Sequence, residues 1–314
     1  MATDWRSISR GGHGDRPLLV VHGNCQAESL RVLCDAALGD EVASVRVPPV
    51  FELEAQDVAD FHALMRRTSY LVTQPIVDDY RDLPLGTAQI TALLPRSACV
   101  ARVPVLRWSA LMPTHAIVRA SGVGDPPVVP YHDLRVLASA ARGEAEADLR
   151  EPSADAVRAV REISAEQLRI RQDHHGTVDA LSLFDRTGAQ AAWTINHPQN
   201  PVLIGVAEQA LARLGLTGTV QDPGRVLLST TTAPVSAATL AALDLDGAPR
   251  AGAGATRVGS SRSRRSLQPS SPGTPSIPRS STRESADTAT PSTSSACASE
   301  HPSTDGFGGQ GDTF

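Results

Sequence analysis

The stretch that most restricts what this chain can fold into is Leu18-Leu19-Val20-Val21-His22, an apolar run that stops at Gly23-Asn24-Cys25-Gln26. It reads as a strand that turns directly into a helix. After the turn, Leu30, Leu33, Cys34, Ala37 and Leu38 recur at the spacing of one helical face, which predicts a helix over 26–38 closed by Gly39. Cys25 precedes that face, so its thiol lies at the helix start. There, unpaired backbone N–H groups and the positive end of the helix dipole favour thiolate over thiol. Gly23 suits a sharp turn because it tolerates positive φ and close backbone approach. Asn24 offers a side-chain amide that can donate to a developing oxyanion.

The elements that follow set the fold class. Strands are predicted over 41–47, 69–73 and 98–103, separated by helices over 54–67 and 86–94. This β-α-β-α-β order predicts an α/β fold of three layers, with a mainly parallel sheet and crossover helices in an SGNH- or flavodoxin-like order. Ligands of such sheets bind at the carboxyl ends of the strands, and both Cys25 and Gln74 lie just past a predicted strand end. The segment 107–131 is rich in Pro and Gly and reads as a long loop-like insertion. A helix is expected over 132–141. Ser153 is placed to cap another, and the capping-box pattern Ser164-Ala165-Glu166-Gln167 predicts a restart. An extended segment over 189–195 runs into Asn196-His197-Pro198, and Asn200-Pro201 opens a last helix that ends at Gly215.

Composition divides the chain into a loose leader over 1–15, one α/β domain over 16–247 and a Ser-, Pro-, Thr- and Arg-rich tail over 248–314. The tail holds almost no large apolar side chains, so burial cannot offset its ordering entropy, and it is expected to be disordered. A net charge of -5 argues against nucleic acid as a partner, even though all 29 basic residues are arginines. No segment approaches the roughly 20 apolar residues of a membrane helix, and the polar N-terminus lacks a secretory core. Cys25, Cys34, Cys99 and Cys297 show neither C-x-x-C pairs nor close histidines, which argues against a metal site or disulfides and fits a reducing cytoplasm.

Cys25 has polar flanks and a route to a lowered pKa, whereas Cys34 and Cys99 fall on apolar positions and read as core. Among the histidines, His197 follows a strand and precedes a helix, which leaves its ring free to act as a base. His132, beside Tyr131 and Asp133, is the second choice. Gln74 is a candidate substrate contact or a simple turn residue.

Four blocks in this order resemble the WcbI family of polysaccharide-biosynthesis enzymes: Gly23-Asn24-Cys25-Gln26, Thr73-Gln74-Pro75 with Tyr80-Arg81, Val103-Pro104-Val105-Leu106 with Met112-Pro113, and Asn196-His197-Pro198. The resemblance spans about residues 22–215. The tail and the region 122–150 depart from it. The family's founding member is linked to O-acetylation of a capsular polysaccharide. The resemblance therefore implies a cytoplasmic acetyltransferase with acetyl-coenzyme A as acyl donor and a glycan as acceptor. It makes Cys25 the reactive residue and His197 the base or orienting histidine, with Asn24 at the turn as the oxyanion donor that its amide suggests. Gly23, Gln26, Gln74 and His132 would line the substrate, and Arg81, Arg102 and Arg107 are the arginines suited to the coenzyme's phosphates. Cys25 either carries the acetyl group covalently or shapes the site for direct transfer. An SGNH-type esterase and a non-enzymatic coenzyme- or glycan-binding module are the competing readings.

Overall fold

The computed structural model describes residues 5–9, 15–119 and 124–254. Its centre is a four-stranded, all-parallel sheet: β1 (Leu18–His22), β2 (Ala43–Val45), β3 (Tyr70–Thr73) and β4 (Cys99–Arg102), in the order β2-β1-β3-β4. This is the α/β class that the alternation of elements predicts. Every residue of β1 is buried because helices cover both faces of the sheet. Leu19 and Val21 pack with Leu30 and Leu33 of α2 (Gln26–Leu38) and with Leu203 and Val206 of α8 (Asn200–Arg213). On the opposite face, the His22 ring lies 4.9 Å from Phe61 of α3 (Val58–Met65).

The carboxyl ends of three strands fall in register: His22 pairs with Thr73, and Thr73 with Arg102. The segments that leave those strands, 23–26, 74–76 and 103–106, therefore emerge side by side. That juxtaposition builds the site.

Four elements differ from the sequence reading. The leader is not loose throughout: α1 (Trp5–Ser9) packs on α3, with Trp5 edge-on to Phe61 and Arg6 paired to Asp57. The restart predicted at Ser164 does not occur. Instead α6 runs unbroken from Ala154 to His175, and buried Ser164 uses its hydroxyl to accept a hydrogen bond from the Ser109 N–H at 3.0 Å. A capping-box pattern is a local signal, and here a tertiary partner outcompetes it. The helix expected from His132 begins at Leu134, as α5 (Leu134–Ala141). His132 and Asp133 instead form β6, antiparallel to β5 (His115–Ala116). Gln199, not Asn200, is the N-cap of α8, and the Asn200 side chain reaches the backbone of Arg225 and Leu227.

The insertion after Arg107 is irregular, yet Leu106, Trp108, Ala110, Leu111 and Met112 are core residues. Their burial is possible because outside partners satisfy the backbone: Leu106 N–H donates to Gln26 Oε1, Trp108 N–H to Ile195 O and Ser109 N–H to Ser164. At the other end, the ordered body runs past 248. Arg250 bridges to Val235, and β10 (Ala253–Gly254) pairs with β9 (Thr231–Thr232). The rest of the expected disordered tail, 255–314, lies outside the described residues.

Candidate active site

Gly23 leaves β1 with a negative or extended φ, so positive φ is not the reason for a glycine here. The reason is space. A Cβ at Gly23 would sit 2.4 Å from Gln74 Oε1 and 2.9 Å from its Cδ. That close approach lets Gln74 Oε1 accept from the Asn24 N–H at 2.8 Å. Asn24 then closes the turn, its Oδ1 accepting from the Gln26 N–H at 2.9 Å.

Gln26 and Gln74 are both buried, and protein partners consume their amides. Gln26 Nε2 donates to Leu106 O and Asn196 O, each at 2.8 Å. Gln26 Oε1 accepts from Gln74 Nε2 at 2.8 Å and Leu106 N–H at 3.1 Å. Two donors and two acceptor lone pairs are thus fully used. These residues, expected to touch substrate, join the edges of three strands and leave no polar atom of Gln26 for a ligand.

The same network carries His197 to Cys25. β7 (Ala192–Thr194) and β8 (His197–Pro198) form a hairpin, and Gln26 holds the Asn196 carbonyl at its tip. Cys25 Sγ lies 3.8 Å from His197 Nε2, across 172 residues of sequence. Burial governs the charge state of both partners. It pushes the Cys25 thiol up, outweighing the thiol's own backbone N–H and the positive charge of Arg119, and it holds the His197 imidazole below its usual value. Both shifts favour the uncharged forms of the thiol and the imidazole. His197 Nδ1 is buried without a hydrogen-bond partner, so among the described residues no carboxylate orients the ring.

The insertion contributes residues that sequence reasoning passed over. Tyr131 OH is 2.8 Å from Asn196 Oδ1 and 2.9 Å from Thr194 Oγ1; burial pushes its pKa up, with Cys25 adding to the rise. Arg119, exposed on the same insertion, acts electrostatically on Cys25. A segment without periodicity gives no signal of where it returns to the body. Of the other expected residues, Arg81 donates to the Phe51 carbonyl, at the turn whose Val50 N–H meets Gly23 O. Arg102 is exposed at the end of β4, and Arg107 is half-buried between the anchored Leu106 and Trp108. His132 follows Tyr131 in β6, and its Nδ1 is buried and unpartnered.

Against known proteins, a family model described as "Polysaccharide biosynthesis enzyme WcbI" matches residues 18–219, more than half of the chain. The chain belongs to the WcbI family of polysaccharide biosynthesis enzymes. A solved WcbI structure, a native form described as lacking a disulfide bond between coenzyme A and one of its cysteines, aligns with a TM-score of 0.64. It is 15% identical and covers 74% of this chain and 82% of its own, a likeness of fold. No curated protein matches. The WcbI match takes in every residue of the Cys25–His197 cluster, Tyr131 and Asn196 included. Among the described residues no helix is long and apolar enough to cross a membrane, and no group of His, Cys, Asp or Glu is arranged to hold a metal.

Proposed function

We propose that this WcbI-family enzyme is a coenzyme A-dependent O-acetyltransferase that acts on a sugar hydroxyl during capsular or surface polysaccharide biosynthesis in the cytoplasm. The observation that carries the reading is the Cys25–His197 pair at 3.8 Å, at the carboxyl edge of a parallel sheet where ligands of such folds bind. The solved WcbI structure, described in relation to coenzyme A, supports the choice of donor. The absence of a carboxylate on His197 Nδ1 among the described residues separates the site from a Ser-His-Asp hydrolase.

The residues present fit such a donor. Cys25, His197, Asn24, Asn196 and Tyr131 are half-open around the buried Gln26 and Gln74, and Arg119, Arg107 and Arg102 lie on the segments around them. Guanidinium forks suit phosphates. Bound acetyl-coenzyme A supplies an activated acetyl thioester. His197 Nε2 takes the proton from Cys25 Sγ as the sulfur attacks the acetyl carbonyl, and His197 then gives that proton to the departing thiolate. In the second half, Nε2 takes the proton of the sugar hydroxyl as its oxygen attacks S-acetyl Cys25, and Sγ leaves and regains the proton. The Asn24 side-chain amide holds the oxyanion in both halves.

A thermal-shift titration with acetyl-coenzyme A tests the binding half. A ligand that binds the native state at 100 times its Kd stabilises it by about 2.7 kcal/mol, so a clear rise in Tm is expected, and no shift at millimolar ligand rejects the reading. Intact-mass detection of an acetyl adduct on wild type, lost in Cys25→Ser, tests the covalent step. Full transferase activity of Cys25→Ser rejects that step. Release of acetate from an acetylated glycan without an acceptor would mark an esterase instead.

A further inference from the structure

His197 reaches Cys25 on a hairpin whose turn is set from outside. Thr194 pairs with His197 across a two-residue turn, Ile195-Asn196, and the ladder is irregular between Ala192 and Thr194. Two-residue hairpins ordinarily use turns with positive φ, which match the twist of the strands. Neither Ile195 nor Asn196 has a positive φ. External hydrogen bonds compensate. Ile195 O accepts from Trp108 N–H at 2.7 Å, and Asn196 O from Gln26 Nε2 at 2.8 Å. Asn196 Oδ1 accepts from Tyr131 OH at 2.8 Å and from Thr194 Oγ1 at 3.2 Å.

Two hydroxyl groups therefore fix the carbonyl end of the Asn196 side chain. Its NH2 end has no protein partner among the described residues, and Asn196 is half-open where Thr194 and Ile195 are buried. Tyr131, which holds it, is near enough for Cys25 to act on the phenol electrostatically. The result is an amide oriented through its carbonyl end, on the residue before His197, whose backbone is tied to Gln26, the residue after Cys25. Asn24 repeats the device, with its Oδ1 held by a backbone N–H.

We propose that Asn196 is a further catalytic residue, donating a side-chain hydrogen bond to the acetyl oxygen as the carbonyl carbon becomes tetrahedral, and that Tyr131 is the positioning residue that fixes this amide. The inference rests on the acetyltransferase reading and adds to it a second oxyanion donor alongside Asn24. Preorganised donors of this kind are worth about 10²- to 10³-fold in kcat.

The test compares two reactions of the same sulfur. Acyl transfer passes through an oxyanion, whereas alkylation of Cys25 by iodoacetamide attacks a saturated carbon and develops none there. Asn196→Ala is expected to lower kcat for acetyl transfer by about 10²- to 10³-fold with the KM for acetyl-coenzyme A little changed. The alkylation rate of Cys25, followed by peptide mass spectrometry, stays within about twofold of wild type. Tyr131→Phe gives a smaller loss of the same kind. The double variant is no worse than Asn196→Ala, because the two act as one unit. A kcat for Asn196→Ala within about threefold of wild type overturns the proposal, as does a parallel fall in alkylation, which would mark displacement of His197. If Asn196→Ala does not fold, Tyr131→Phe alone decides: unchanged kcat overturns the proposal. Absence of transfer by the wild-type chain overturns both readings, while an active wild type with an indifferent Asn196 overturns this one alone.

Discussion

Replacing Gln26 by methionine keeps the length of the side chain and removes every hydrogen bond the amide makes. Four are lost: to Leu106 O, Asn196 O, Gln74 Nε2 and Leu106 N–H. Gln26 is 0% exposed and Leu106 is 0% exposed, so water cannot replace the bonds on that side. A buried polar group left without a partner costs about 1–3 kcal/mol. Gln74 Nε2 keeps a long contact to Pro104 O at 3.5 Å, and Asn196, unlike Leu106, is only half-buried. The two orphaned groups of Leu106 thus dominate, and the expected loss is about 3–5 kcal/mol, a large part of the 5–15 kcal/mol that ordinarily holds a domain together. Urea unfolding of wild type and Gln26→Met, compared at equal slope, measures it. A difference below about 1 kcal/mol would refute the view that this glutamine ties the strand ends together. Tight coenzyme binding lost without any change in stability would return Gln26 to the role of a ligand contact.

Three further outcomes follow from the same geometry. Gly23→Ala puts a methyl group 2.4 Å from Gln74 Oε1; because Gln74 is pinned on both sides, the expected cost is about 2–4 kcal/mol, read as a fall in the urea midpoint. His22 is fully buried and held at about 4 by desolvation, against an ordinary 6.5, so the unfolded chain binds the extra proton between those values. Stability is then complete above pH 6.5 and falls by up to about 3 kcal/mol as pH drops toward 4; denaturation at several pH values shows this slope, and His22→Gln should flatten it. With a thiol reagent under native conditions, exposed Cys99 reacts first, half-buried Cys25 more slowly, and Cys34, buried and pushed up to about 12, last. Peptide mapping over time gives the order, and early modification of Cys34 would contradict the packing of α2 against α8.

What the sequence by itself determined is local. An apolar run, a glycine and a 3.6-residue periodicity specify strand, turn and helix through neighbours a few residues apart. For that reason the positions of β1 and α2, the parallel sheet and the place of Cys25 at the helix start were legible. The same locality misled at Ser164, where a capping pattern lies inside a continuous helix, and at the leader, whose Trp5 finds a ring to pack against on α3. Only the tertiary structure decided what the residues of the site do. The partner of Cys25 lies 172 residues away, on a hairpin held by Gln26, Trp108 and Tyr131. Burial, which no short window of sequence encodes, pushes the pKa of that thiol up. Gln26 and Gln74 look like ligand contacts in the chain and are struts in the fold, because a polar side chain that is fully enclosed must spend its hydrogen bonds on the protein.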